Sequence, residues 1–134
     1  MEDQDIRWKQ RHFNFGKAMA LLSAALAITS PDVTQKAGVI QFFEISFEMA
    51  WNTLKDYLEY QGHTGLRSPR DTLKKAFEVG LISDGHAWLE LLNDRNLSTH
   101  IYDEEKISEI DQLIRTKYMT LLKDLYSSFE VISE

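Results

Sequence analysis

The chain contains no cysteine and few helix-breaking residues. Its 134 residues include two prolines and six glycines, and no thiol is available for a disulfide, a thiolate metal site or a cysteine nucleophile. The longest mostly apolar run, residues 18–28, is too short to cross a bilayer, and the first five residues are acidic where a signal peptide would be basic. These absences argue against a disulfide-stabilised secreted domain and predict a soluble, cytoplasmic protein without membrane contact.

An excess of basic charge is also missing. Lys and Arg number 15 against 21 Asp and Glu, which gives a formal net charge of -6 at pH 7. Because affinity for phosphate comes mainly from Lys and Arg, this charge argues against broad nucleic-acid binding, and any RNA contact must be local. One basic cluster remains, and its simplest interpretation is a solvated face whose role stays open: His63, Arg67, Arg70, Lys74 and Lys75.

The few prolines and glycines separate long stretches with helical periodicity. Apolar spacing, N-cap residues and turn residues predict four long helices and one short one. The expected bounds are about 5–28, 33–60 and 68–79, then a helix from near 83–85 that carries residues 95–102 at its far end, then about 103–129. Short connections favour an all-α, up-and-down antiparallel bundle, and the length fits a single domain of residues 1–134.

The second predicted helix is apolar over a wide arc, which indicates a central or interfacial position. Its main stripe has the character of core packing and consists of Ile40, Phe43, Phe47, Trp51, Leu54 and Leu58. Glu44 and Glu48 lie within this helix at i, i+4 spacing. Two such carboxylates can serve acid–base or metal chemistry, but no HxxxH or HxxE spacing supplies further ligands. We therefore expect no metal site, and we expect both acids to pair with a buried arginine or to cap polar groups.

The segment from Arg95 to Tyr102 places polar functional groups where an apolar helix should finish. At 100° per residue, Arg95, Thr99 and Tyr102 continue the apolar stripe that Trp88 begins. A guanidinium on a buried stripe needs a partner anion, a wet cleft or a subunit interface. His100 lies about 140° round from Arg95, so the two side chains converge only if the helix ends or a second subunit contributes.

Two features bear on how this segment ends and what covers it. Asp103 followed by two glutamates is typical of an N-cap and a first helical turn, so the preceding helix can end before it. Leu97 and Ile101 lie roughly opposite Trp88, which makes the helix end apolar on two sides. We expect one side to meet a second subunit, and a two-fold homodimer would bring two copies of the segment together as a composite site.

The spacing of Arg95 and His100 is weak evidence by itself. Arg7 and His12 have the same separation, and we interpret that pair as chance because Trp8 stands where a polar residue would follow the arginine. The simplest alternative for Arg95 and His100 is a satisfied polar pair at a helix end, with no catalytic role.

Longer stretches carry a family resemblance. Residues 43–51 read Phe-Glu-Ile-Ser-Phe-Glu-Met-Ala-Trp, residues 58–62 read Leu-Glu-Tyr-Gln-Gly, and residues 93–102 read Asn-Asp-Arg-Asn-Leu-Ser-Thr-His-Ile-Tyr. In this order they resemble the nucleotidyltransferase substrate-binding protein family, a branch of the HEPN helical-bundle superfamily. The resemblance extends over nearly the full length of the chain.

The resemblance implies a helical homodimer encoded beside a minimal nucleotidyltransferase, a separate chain that holds the nucleotide-binding and metal-binding carboxylates. It also implies a toxin–antitoxin pair in which the bundle is a metal-independent RNA endonuclease that needs no cofactor. The family's Arg-x4-His-x-Tyr motif falls on Arg95, His100 and Tyr102, and Asn96 fits as the polar residue after the arginine. The partner would silence the nuclease by transferring AMP to Tyr102.

These observations leave more than one function open. The first hypothesis is a ribonuclease in which His100 moves protons and Arg95 binds the scissile phosphate. The alternative is a noncatalytic substrate-binding subunit that presents a substrate, its own Tyr102 included, to the nucleotidyltransferase. A purely structural dimer is a third interpretation. The RNA target, and the choice between a dimer and a tetramer, stay open.

Overall fold

A computed structural model describes residues 2–134, and this part of the chain is helical with short connections. The helices are α1 (Glu2–Leu26), α2 (Val33–Tyr60), α3 (Pro69–Glu78), α4 (Gly85–Ser98), α5 (Glu104–Leu113) and α6 (Met119–Ser133), with a π-helical stretch, Ile114–Tyr118, that joins α5 to α6. The all-α prediction is confirmed, and the second helix has the predicted bounds. Within residues 2–134, no helix is long and apolar enough to cross a membrane.

The helices form a bundle around α2. Helices α1 and α2 pack against each other and run in opposite directions, because residues 27–32 form only a short turn between them. Helices α5 and α6 lie against α2, α6 also contacts α1, and α3 contacts both α2 and α4. Contacts with α1, α3, α5 and α6 confirm the predicted central position of α2.

Side-chain caps fix where the helices begin. The Asp32 carboxylate accepts a hydrogen bond from the Gln35 backbone N–H at 2.8 Å, while the Gln35 side chain accepts one from the Asp32 N–H at 2.9 Å. Ser68, Asp84 and Asp103 cap α3, α4 and α5 in the same position of the turn. Each cap gives a partner to a backbone N–H that the first helical turn would leave unpaired. The predicted starts of α2, α3, α4 and α5 are therefore confirmed, whereas α1 begins at Glu2, about three residues before its predicted start.

The core contains most of the stripe predicted on α2, joined by apolar side chains of α1, of α6 and of the π-helical stretch before α6. Its fully buried members include Phe15, Leu22, Phe43, Phe47, Leu54, Leu58, Ile114, Leu122 and Phe129. Trp51 differs from the prediction, since it is only partly buried. Its indole Nε1 donates to the Glu48 carboxylate at 3.0 Å, and this bond keeps the ring at the edge of the core.

The fifth predicted helix is interrupted by the π-helical stretch, which the sequence analysis missed. Ile110, Ile114, Tyr118 and Leu122 are all buried at successive four-residue spacings. On a regular α-helix each such step drifts by about 40°, so three steps would turn Leu122 about 120° away from Ile110. The extra residue in a π turn takes up this drift and keeps all four side chains on the core.

Candidate functional site

Helix α4 ends at Ser98, four residues before Tyr102. The residues beyond it leave the helical path, and the His100 backbone N–H donates to the Leu97 carbonyl at 3.0 Å. Tyr102 is 88% exposed, and Thr99 is exposed as well. The expectation that Thr99 and Tyr102 continue the core stripe is therefore wrong, because the cap at Asp103 starts a new helix and forces the chain to turn first.

Of the three polar residues predicted to continue the stripe, Arg95 alone keeps its place on the core-facing side. Its Nη2 donates to the Glu48 carboxylate at 3.0 Å, and its guanidinium lies 5.6 Å from the centre of the Phe47 ring. Its Nη1 donates to the Asn96 side-chain oxygen at 3.2 Å in an exposed position. The predicted partner anion is thus Glu48, and the side chain stays 26% exposed rather than sealed.

One donor of Arg95 remains unused. Its Nε is buried and has no hydrogen-bond partner among residues 2–134. A buried guanidinium donor without a partner is uncommon and destabilising. Glu48 and Asn96 therefore occupy only some of the hydrogen-bond donors of the guanidinium. The part that a ligand can reach is the Nη1 edge, which faces solvent.

The two acids of α2 hold the last turn of α4. Glu44 accepts a hydrogen bond from the Ser98 hydroxyl, and Glu48 pairs with Arg95 one turn earlier. Glu48 also accepts from the Trp51 indole at 3.0 Å. Two acids four residues apart on α2 thus bind two residues three apart on α4, Arg95 and Ser98. The prediction that these acids pair with an arginine or cap polar groups is confirmed.

No metal cluster includes these acids in the described part of the chain, where no three His, Cys, Asp or Glu side chains come together as ligands. Glu44 and Glu48 instead bind the last turn of α4 to α2. The charge-assisted hydrogen bond from Arg95 to Glu48 fixes the direction of the Arg95 side chain.

His100 and Tyr102 lie together in an open groove between the end of α4 and α5. The groove has a volume of about 600 Å³, and its walls combine apolar side chains, Leu97, Ile101, Ile110 and Leu113, with the charged Asp94, Asp103, Lys106 and Glu109. Both His100 and Tyr102 are exposed. One subunit therefore brings His100 and Tyr102 to the same groove, while Arg95 points toward α2 and forms no hydrogen bond with either within residues 2–134.

A buried tyrosine that the sequence analysis did not connect with the site supports this groove from below, through Asp94 in the groove wall. The Tyr118 hydroxyl donates a hydrogen bond to the Asp94 carboxylate, and its ring stacks on Phe43 with the ring centres 5.8 Å apart. Burial, together with the Asp94 hydrogen bond, raises the pKa of Tyr118 well above its usual value, so the hydroxyl stays a donor. A signal was present, because a tyrosine on a core stripe needs a partner for its hydroxyl.

The comparisons with known proteins agree with this architecture. A family model described as "Nucleotidyltransferase substrate binding protein like" matches residues 10–131. A curated relative, "Probable ribonuclease HepT" of Haemophilus influenzae, is 30% identical over 92 residues, a match that spans 62% of this chain and 63% of that protein. A crystal structure of a protein from Thermus thermophilus superposes with a TM-score of 0.76 at 31% identity, covering 84% of this chain and 96% of the other. This chain therefore belongs to the nucleotidyltransferase substrate-binding protein family, a branch of the HEPN superfamily.

Proposed function

We propose that this chain is a metal-independent ribonuclease of the HEPN type and the toxin of a pair with a minimal nucleotidyltransferase. The observation that carries the proposal is the exposed His100 in an open groove of about 600 Å³, one turn beyond an arginine whose direction is fixed by Glu48. The relative named as a probable ribonuclease supports the same activity. Cleavage would not need a metal, because RNA carries its own nucleophile.

The reaction uses the 2'-hydroxyl of the substrate. The His100 imidazole of one subunit accepts the 2'-hydroxyl proton while the 2'-oxygen attacks the adjacent phosphorus. The bond from phosphorus to the 5'-oxygen breaks, and a protonated His100 of the second subunit gives its proton to that leaving oxygen. The products are a 2',3'-cyclic phosphate and a free 5'-hydroxyl, so protons and bonds balance without a metal.

Arg95 stabilises the charge on the phosphoryl oxygens during this reaction. Its Glu48 bond holds one edge of the planar fork, which leaves the Nη1 edge beside Asn96 toward solvent. A positioned guanidinium loses little freedom on binding phosphate, and this favours the transition state over a freely rotating cation. Glu48 is in this proposal a positioning residue, since it acts through Arg95.

A homodimer is part of the proposal. Within one subunit His100 lies in the α4–α5 groove and Arg95 faces α2, so a second copy is needed to supply a second imidazole and a complementary guanidinium. Leu97, beside His100, is 54% exposed and offers an apolar surface for that copy. A two-fold axis near Leu97 would place both copies of the segment in one cleft.

Tyr102 is the proposed regulatory site. Its phenol is 88% exposed, so a partner nucleotidyltransferase can reach it. In the transfer, the phenolic oxygen forms a bond to the α-phosphorus of ATP, pyrophosphate leaves, and the phenolic proton passes to the partner enzyme or solvent. The added AMP brings negative charge and bulk into the groove that holds His100, and both oppose the approach of RNA phosphate.

The test is cleavage of RNA in EDTA by the purified protein. We expect fragments with cyclic phosphate ends from the wild type, a loss of ~10²–10⁴-fold in rate for His100→Ala, and near-normal cleavage by Thr99→Ala, which changes the neighbouring exposed residue. Circular dichroism and light scattering would verify that each variant is folded and has the same assembly state. Cleavage by His100→Ala at the wild-type rate would overturn the nuclease proposal.

A second candidate function rests on the pairing of Arg95 with Glu48. An arginine already neutralised by a carboxylate is less available to phosphate, and this favours a noncatalytic subunit that presents Tyr102 to the nucleotidyltransferase. That candidate predicts no RNA fragments from the wild type, together with labelling of Tyr102 only when the partner and ATP are present. Labelling that persists in Tyr102→Phe would count against it.

A further inference from the structure

Helix α3 and the loop before it carry three exposed cations close together in the sequence. Arg67, Arg70 and Lys74 are exposed, and no carboxylate pairs with any of them within residues 2–134. Lys75 differs, since it pairs with Glu78 at 3.2 Å. Arg70 and Lys74 are four residues apart, so they lie on the same face of the helix. In a chain of net charge -6, this is a local concentration of unneutralised cations.

An apolar groove lies beside Lys74, the last of these cations. It has a volume of about 570 Å³ between α3 and the start of α4, and Lys74, Leu73 and Phe77 line it from α3. The Phe77 ring is 53% exposed. About half of this aromatic side chain is therefore accessible to a ligand, beside the Lys74 ammonium.

Gly85 holds the Phe77 ring in place. A Cβ built at residue 85 would lie 3.0 Å from atoms of that ring, so the ring rests against bare backbone at the start of α4. One side of the ring is therefore supported by the protein, while 53% of the residue remains exposed to solvent. This is the arrangement of a stacking platform for a flat ligand.

The chemistry of the groove fits single-stranded nucleic acid better than an apolar peptide. Single-stranded RNA combines a flat base for the ring with phosphates for the cations, and every base presents a π-face. An apolar peptide would leave three cations without partners. The Asp84 carboxylate also lines the groove, where it caps α4 and accepts a hydrogen bond from the Ala87 N–H at 3.0 Å.

One side of α4 leads from this groove toward the cleft that the proposed dimer forms at Leu97 and His100. Leu89 lines the α3–α4 groove and Leu97 lines the groove that contains His100. Leu89, Asn93 and Leu97 follow one another at four-residue spacing, so they share one side of the helix. Their separation from first to last is about 12 Å along the axis, a length that a few nucleotides can span.

We propose that the α3–α4 groove is a subsite for single-stranded RNA, in which Phe77 stacks on a base and Arg67, Arg70 and Lys74 bind backbone phosphates. The subsite rests on the proposed function, since the RNA bound there continues to the scissile bond at His100. It narrows the substrate class to single strands or single-stranded loops that extend several nucleotides from the cut. It also gives an acidic protein a local means of holding RNA.

Direct binding tests the subsite without relying on cleavage. The probe is a fluorescent uridine RNA of about 12 nucleotides with 2'-O-methyl groups, which cannot be cut, and the readout is anisotropy at several salt concentrations in EDTA. We expect Phe77→Ala to weaken binding about 10-fold, within the range for one stacked base. The double variant Arg70→Gln with Lys74→Gln should lower the slope of log affinity against log salt by about 1.4, or ~0.7 for each phosphate contact.

The chain offers a matched control on helix α1. Phe13 is 64% exposed there, and Lys17 lies 4.8 Å from the centre of its ring. The double variant Phe13→Ala with Lys17→Gln removes a comparable ring and cation outside the groove, and it should bind the probe as the wild type does. Equal weakening by both sets of changes would show nonspecific binding and overturn the subsite.

Cleavage assays separate this proposal from the proposed function. With a trinucleotide substrate, the Phe77 variant should match the wild type, whereas with the longer RNA it should cut about 10-fold more slowly because one stacked base is lost. A wild type that binds the probe through Phe77 yet cuts neither substrate would overturn the nuclease and support the subsite. Wild-type probe binding by the groove variants, with lost binding to the partner nucleotidyltransferase, would overturn the subsite and make the groove a protein-docking surface.

Discussion

The molecule contains the same arginine-to-histidine spacing twice, and its two occurrences end in opposite environments. Arg7 and His12 both lie inside α1, where the regular helix turns them to different sides. His12 is buried and stacks on Tyr126 with the ring centres 4.5 Å apart, while Arg7 is exposed. The first pair is thus divided between the core and the solvent.

The second occurrence spans a helix end instead. Arg95 lies in the last turn of α4 and pairs with Glu48, whereas His100 lies beyond the end of that helix and is exposed. In this pair the arginine is ion-paired and the histidine is exposed, whereas in the N-terminal pair the arginine is exposed and the histidine is buried. A helix end can therefore turn an uninformative spacing into a reactive arrangement, and the spacing alone cannot distinguish the two.

Among the tests of this comparison, replacing each of the two arginines with alanine should have the largest effect. Arg95→Ala should lower RNA cleavage by ~10²–10³-fold, because charge stabilisation in the transition state is lost, whereas Arg7→Ala should leave the rate unchanged. Arg95→Lys should recover only part of the activity, since an ammonium lacks the planar fork. Initial rates at saturating RNA measure all three, and equal rates for the two alanine variants would remove the distinction between the two pairs.

Replacing the two histidines with alanine should affect the stability of the protein in the opposite way, with the larger loss at the N-terminal pair. His12→Ala should lower the free energy of unfolding by about 2–3 kcal/mol, because it removes a buried ring and leaves a cavity beside Tyr126. His100→Ala should change it by less than about 0.5 kcal/mol, as expected for an exposed side chain. Urea unfolding followed by circular dichroism makes the measurement. A marked loss of stability in His100→Ala would show that its side chain has a structural role.

Glu48→Gln tests how far the carboxylate restrains Arg95. The substitution keeps a hydrogen-bond acceptor and removes the charge, so we expect a loss of under about 1 kcal/mol for this partly exposed pair. RNA binding should tighten several-fold, because Arg95 is no longer neutralised, while turnover slows as its orientation loosens. Anisotropy with uncleavable RNA and single-turnover rates separate the two effects. Weaker RNA binding in this variant would show that Glu48 acts by positioning alone.

The smallest effect concerns Tyr118 at high pH. Because the pKa of Tyr118 is raised in the folded protein, the unfolded chain ionises first as the pH passes its ordinary value of 10.0. The stability that this group contributes is complete below that pH and is lost above it. Tyr118→Phe should therefore be less stable than wild type at pH 8 and show a shallower decline between pH 9 and 11. If the free energy of unfolding fell equally steeply with pH in the two proteins, the raised pKa of Tyr118 would be contradicted.

The sequence predicted those parts of the fold that depend on local signals. Helix α2 begins and ends where predicted because Asp32 caps one end and Gly62 follows the other. The partners of Glu44 and Glu48 were predicted only as types, since their identity depends on how α4 packs on α2. The homodimer stays a prediction, because a single chain shows an exposed Leu97 and not what covers it.

The parts of the structure that the sequence analysis predicted wrongly or missed depend on competition between helices and on contacts between them. The core stripe was extended to Tyr102 on an ideal helix, but the competing N-cap at Asp103 ended α4 early. The contact between Tyr118 and Asp94 joins two helices across 24 residues, and periodicity within one helix carries no information about it. The local sequence pattern thus predicted where the helices lie along the chain, whereas the groove around His100 depends on contacts between helices.

The π-helical stretch makes the number of residues between α5 and α6 as important as their identity. Deleting one residue from Ile114–Tyr118 would restore a regular helix and rotate everything after it by about 100°. Leu122, Leu125 and Phe129 would then turn out of the interior, and the Tyr118 hydroxyl would lose Asp94. A homologue shortened by a single position here would have to rebuild its core and the floor of its groove together.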